Sequence, residues 1–113
     1  MSFENYQDEN ATIFKISGAI NQNNAMELQK ALVDRVREGK AALVLDMQDV
    51  TYIDSMGVGA LINAMSSARK AGGDLKLACV SRMQQEIMRY LSVHTIFNIH
   101  PSTEDARNAF LPL

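Results

Sequence analysis

The stretch TYIDSMGVGAL, residues 51–61, sets one hydroxyl beside one carboxylate where an apolar strand pattern gives way to a helical one. Several chemistries are open to Ser55. A serine nucleophile needs a nearby base and an oxyanion hole. His94 and His100 are the only histidines, and Ile53 and Gly57 do not give the G-x-S-x-G elbow of a hydrolase serine. GVGALI carries the glycine pair of a dinucleotide fingerprint, but Ile62 stands where its third glycine belongs. The histidines have no paired cysteine ligands, so no metal constellation is readable either. Catalysis is disfavoured, no cofactor is called for, and a helix cap and a phosphate acceptor remain.

As an N-cap, Ser55 would accept a bond from a free backbone N–H of the helix that follows. Gly57 and Gly59 leave that first turn with little side-chain cover, at a cost of up to about 1 kcal/mol each relative to alanine. Close approach by a partner or an anion would account for them. The partial positive charge and free donors of a helix N-terminus suit a phosphoryl group. Asp54 acts against this, because phosphoserine adds about −1.5 to −2 charges beside an existing carboxylate. The expected effect falls on any partner covering Met56 and Ala60 rather than on folding.

These residues must be positioned by a helix over 56–71. Val58, Leu61, Ile62 and Met65, flanked by Ala68, cluster on one side and should face a sheet. Met56, Ala60, Asn63 and Ser67 fall on the other side. That side is uncharged, small and capped by a flexible methionine, which suits a surface covered by another protein.

Around this helix the chain alternates strand and helix signals. SFENYQ and ATIFKIS read as a hairpin split by the polar DEN, with Gly18 ending the second strand. Ala25, Leu28, Leu32 and Val36 make the apolar stripe of a helix from Asn24 to about Glu38, stopped by Gly39. AALVLDM is a strand buried on both faces, followed by a turn at QDV and a short TYI. LKLACV is another buried strand, and Cys79 within it reads as a small core residue. SRMQ is a capping box opening a helix to about Leu91. TIFNI is a last strand, and STED opens a C-terminal helix through Phe110. The order β-β-α-β-α-β-α-β-α implies an α/β domain with a mixed, mostly parallel sheet, an N-terminal β-hairpin and about four helices.

Composition narrows the class. The 113 residues suit one domain, with 47% hydrophobic and 21% charged residues and a net charge of −2. Lys and Arg are spread through the chain, so the basic stripe of a nucleic-acid binder is missing. No run approaches the ~20 apolar residues of a membrane span, and MSFENYQDEN is unlike a signal peptide, so the cytoplasm is the expected location.

The stretch LVLDMQDVTYIDSMGVGAL resembles the STAS domain family, most closely its stand-alone bacterial anti-sigma factor antagonists. Asp46, Asp54, Ser55, Gly57 and Leu61 match an apolar strand ending in Asp, a connector, then D-S-x-G-x-x-x-L. ISGAIN, ARKAGGDLKL and IFNIHPSTEDA support the match, which extends over roughly residues 11–110. The resemblance implies a single STAS domain over 1–113 that works by partner switching, without enzymatic activity of its own. A serine kinase that is often also an anti-sigma factor would phosphorylate Ser55, and ATP and Mg²⁺ would belong to that kinase. The unphosphorylated form would bind the kinase and free a sigma factor, and a PP2C-type phosphatase would reset the switch. Asp54, Ser55, Met56, Gly57, Gly59, Ala60, Asn63 and Asn21 are the expected partner contacts. Two positions depart from the family: Asn21 stands where an acidic residue is usual, and His94 where leucine is common. The alternative is a constitutive STAS scaffold, bound to a transporter or a signalling assembly, in which Ser55 is only a cap.

Overall fold

The alternating residues at the start of the chain fold as a hairpin in the computed structural model, which describes residues 1–110. β1 (Ser2–Asp8) and β2 (Ala11–Ile20) run antiparallel and are joined by Glu9 and Asn10, with Glu9 at φ 55°. There follow α1 (Ala25–Arg37), β3 (Ala42–Ile53), α2 (Ser55–Lys70), β4 (Asp74–Ala78), α3 (Arg82–Tyr90), β5 (Asn98–His100) and α4 (Thr103–Asn108). The strands lie in the order β1-β2-β3-β4-β5, and every pair after the hairpin is parallel. Parallel neighbours need a long crossover, which is what α1, α2 and α3 supply.

Side chains alternate across the sheet and so build two layers. Phe14, Leu43, Leu45, Leu75 and Leu77 face α1 and α2, where Leu28, Leu32, Leu61 and Met65 complete the main core. Ile13, Val44 and Ala78 point the other way and are covered by Ala106 of α4. Both faces of β3 are thereby removed from water, which is why its sequence is continuously apolar.

The sheet departs from the expected boundaries in every strand after β1. β2 does not end at Gly18 but continues to Ile20, with Gly18 held at φ 89°. QDV is not a turn: β3 runs unbroken to Ile53. Its pairing with β2 shifts between Lys15 and Ser17 and again between Gly18 and Ala19, each shift adding one residue on β3. These bulges turn Met47, Val50 and Ile53 inward at three-residue steps instead of two, and polar Gln48 and Asp49 fall between them. A strand pattern so interrupted reads as a turn. Cys79 is not a core residue of β4; it follows the strand, half-buried at φ 58°, with its thiol 3.6 Å from the Pro101 carbonyl. Burial first, then the Asp46 carboxylate, raises that thiol's pKa and keeps it protonated.

At the C-terminal side, β5 is shorter than TIFNI and starts only at Asn98, with Phe97 buried beside it. α4 is capped by Ser102, whose Oγ accepts from Asp105 N–H at 3.1 Å, and stops at Asn108 instead of Phe110. The capping box of α3 forms as expected, between Ser81 and Gln84. Gln84 does more than cap. Its buried Nε2 donates to the Val50 carbonyl at 2.8 Å, beside the second bulge. A bulge leaves ladder groups unpaired, and a buried carbonyl without a donor costs about 1–3 kcal/mol. Gln84→Leu removes both this bond and the reciprocal cap, so urea unfolding should show a loss of about 3 kcal/mol. A loss below about 0.5 kcal/mol would mean that the bulge carbonyl finds another donor.

Candidate functional site

Ser55 lies at the junction of β3 and α2, and the junction is built chiefly by its neighbour. Asp54, not Ser55, is the N-cap: its extended backbone (φ −96°, ψ −179°) leads into the helix, and its Oδ1 accepts from Gly57 N–H at 2.8 Å. The expectation that Ser55 caps α2 is corrected. A carboxylate at this position complements the helix dipole as well as the free donor, and it leaves the hydroxyl one residue further on without cap duty. Ser55 is the first residue of α2, exposed, and its hydroxyl makes no hydrogen bond among the described residues.

Asp54 also ties the site to the other side of the sheet end. Its N–H donates to the Ile20 carbonyl at 3.1 Å, and its Oδ2 accepts from Gln22 N–H at 3.1 Å. The loop from Asn21 to Asn24 is thus clipped to the start of α2. Within that loop Asn24 accepts from Asn21 N–H and donates to the Ala19 carbonyl, both at 2.9 Å. Asn21 accepts from Asn23 N–H at 2.9 Å through its side-chain oxygen, an arrangement that needs only an acceptor and not a charge. Asn21 is therefore beside Asp54, half-buried, in the loop that borders Ser55.

The two glycines of the first turn have different reasons. A Cβ on Gly57 would lie 2.8 Å from the Ile20 carbonyl oxygen and 2.8 Å from Ile53 Cγ1, so Gly57 is required by the seating of α2 on the sheet. It is buried and offers a partner no side chain. A Cβ on Gly59 would meet nothing within 4 Å among the described residues. The expected outward face is corrected in the same way. Ala60 is buried, because α1 packs along α2 in addition to the sheet. Of the other expected outward residues, Met56 and Asn63 are exposed and Ser67 is half-buried, and Asn63 donates to Gln29 of α1 at 3.3 Å.

A part of the site went unread in the sequence. Tyr52, Ile53, Asp54 and Ser55 form one wall of an open groove of about 500 Å³, and Met83, Glu86, Ile87 and Tyr90 of α3 form the other. Tyr90 is 89% exposed and Met83 61% exposed, with Met56 and Tyr52 also uncovered nearby in the chain. The signal was present in RMQQEIMRY, where Met83, Ile87 and Tyr90 recur at helical spacing, but only the fold sets α3 beside the end of β3. His94 is exposed after α3 and is not among the groove residues. Among the described residues no group of His, Cys, Asp and Glu could hold a metal ion, and no helix is long and apolar enough to cross a membrane.

An α/β sheet with this hairpin, and a D-S-x-G turn at the end of its central strand, define a class. The STAS domain model matches residues 2–106, and the chain belongs to the STAS domain family. It is 31% identical over 98 residues to the anti-sigma-B factor antagonist of Bacillus subtilis, covering 87% of this chain and 89% of that one. The crystal structure of an anti-sigma factor antagonist from Mycobacterium paratuberculosis is similar with a TM-score of 0.84, at 20% identity over 96% of this chain and 92% of that one. The Bacillus cell fate determinant SpoIIAA in its phosphorylated form is similar with a TM-score of 0.74, at 12% identity over 97% of this chain and all of that one.

Substitutions at the first turn of α2 separate these roles. Asp54→Ala should destabilise by about 1–2 kcal/mol through the lost cap, whereas Ser55→Ala should stay within about 0.5 kcal/mol of wild type. Gly59→Ala should stabilise by roughly 0.5–1 kcal/mol, and Gly57→Ala should destabilise by at least that much. Denaturant titration of the four variants reads all of these, and a Ser55→Ala loss equal to that of Asp54→Ala would restore Ser55 as the cap.

Proposed function

We propose that this chain is a phosphorylation-controlled protein-binding switch of the anti-sigma factor antagonist kind, one STAS domain acting in the bacterial cytoplasm. Ser55 is the phosphate acceptor. The unphosphorylated form binds a serine kinase that is also an anti-sigma factor, and phosphate transfer to Ser55 ends that binding. The chain contributes the acceptor hydroxyl and the docking surface; ATP and Mg²⁺ come with the kinase, and a PP2C-type phosphatase restores the hydroxyl. The observation that carries this reading is the exposed Ser55 hydroxyl, unbonded and relieved of capping by Asp54.

The physical consequence of phosphorylation follows from the neighbours. A phosphoryl group brings about −1.5 to −2 charges to a turn whose donors are already partly taken by Asp54. The helix end offsets some of the repulsion, so the domain stays folded. The added charge and bulk fall at the mouth of the groove, among Tyr52, Met83 and Tyr90 and next to exposed Met56 in the chain, where a partner's apolar surface would have to tolerate them. On this reading Asp54, Ser55, Met56 and Asn21 border that point, Gly57 seats the turn on the sheet, and Gly59, Ala60 and Asn63 lie further along α2, where Asn63 bonds to Gln29. The constitutive scaffold reading rested on Ser55 being the cap, and that motive is gone.

Titration calorimetry against the kinase tests the proposal. Ser55→Ala should bind as tightly as unphosphorylated wild type and be unable to accept phosphate. Ser55→Asp should bind at least tenfold more weakly, and the phosphorylated protein more weakly still, because aspartate carries less charge. Equal affinity of all three forms would overturn the switch.

A further inference from the structure

We propose that α3 is a detachable wall of the groove: it leaves the sheet as a unit while the rest of the domain stays folded, and a partner docked at Ser55 pins it in place. The second half rests on the switch reading above; the first does not. α3 is the shallowest of the three crossover helices. Of its nine residues Gln84 and Met88 are buried, against four buried residues in α1 and seven in α2. Ile87 is half-buried, and Met83, Glu86 and Tyr90 are exposed. What fixes the helix to the sheet is chiefly one methionine and one hydrogen bond, from the buried Gln84 Nε2 to the Val50 carbonyl at 2.8 Å.

Both ends of the segment carry backbone strain. Cys79, ahead of the helix, has φ 58°, and Ser92, just after it, has φ 59°. Any side chain crowds the backbone in this left-handed region, which is why glycine is favoured there. Ser92 closes α3: its N–H donates to the Arg89 carbonyl at 3.0 Å, and Val93 N–H donates to the Met88 carbonyl at 2.9 Å. Helices most often give this termination to glycine. Undocking releases strain that the docked helix must hold. It also costs α3 its helical form, because nine residues are too few to stay helical in water without a packed face. The rest of the main core keeps Leu28, Leu32, Leu61 and Met65 against the sheet. Local opening of this kind belongs to elements with few buried side chains. On the switch reading a kinase and a phosphatase must both reach Ser55. A wall that moves lets one groove receive two active sites of different shape.

Native-state hydrogen exchange of the whole chain in low urea tests the proposal. The amides of residues 86–91 should exchange about a hundredfold faster than those of β3, and their rates should stay flat in urea while those of β3 climb. Ser92→Gly relieves the strained termination and should slow the α3 amides about fivefold. Gln84→Leu removes the bond to Val50 and should speed them by about tenfold or more. Saturating kinase should slow them by about tenfold. Amides of α3 that exchange as slowly as β3, with the same urea dependence, overturn the proposal. So does α3 exchange indifferent to both substitutions. A kinase that binds without slowing α3 overturns the pinning. A kinase that does not bind tells against the switch reading instead, and the free chain still decides whether α3 detaches.

Discussion

The close seating of α2 on the ends of β2 and β3 is the constraint from which the rest of the site follows. The Ile20 carbonyl accepts from Asp54 N–H and lies where a Cβ on Gly57 would be. A helix can approach a strand end so closely only where a residue has no side chain. Once it is there, its first N–H groups need acceptors, and the Asp54 carboxylate serves Gly57 on one oxygen and Gln22 on the other. One ion thereby holds a helix start and the loop before α1 in a single arrangement, and the Ser55 hydroxyl is left pointing at solvent from a rigid base.

The far wall of the site depends on a second linkage, more distant in sequence. The bulges of β3 keep it in register with β2 while adding residues, and they leave the Val50 carbonyl for Gln84 to satisfy. That bond anchors the start of α3 beside the end of β3. Met83 and Tyr90 are consequently brought opposite Tyr52 and Ser55, and the groove between them is a product of the bulge. The exposed aromatic and methionine side chains there are large and uncharged, while the only carboxylates in the lining are Asp54 and Glu86. A surface of that kind is sensitive to one added dianion, because the apolar contacts it offers cannot solvate the charge.

The glycine pair of the first turn shows two demands of different origin. Gly57 answers the fold, and no ligand is needed to explain it. Gly59 answers no contact among the described residues, and it sits on the side of α2 that Met56 and Asn63 also expose.

Much of this protein was legible in its sequence. The alternation of elements, the apolar stripes of α1 and α2, the cap signatures at Ser81 and Ser102, and the exposed D-S-x-G turn are all local patterns. Local patterns record local hydrogen bonding and periodic burial, which hold whatever the chain does at long range. Tertiary structure decided the rest. Which of two adjacent cap-competent residues takes the cap depended on the loop at Gln22, thirty-two positions away, whose N–H binds the second oxygen of the Asp54 carboxylate. Ala60 was turned from surface to interior by α1, and the apparent turn at QDV became strand because β2 supplied a ladder for it. Each of these outcomes belongs to a contact between segments distant in sequence, and no single stretch of residues encodes its partner's position.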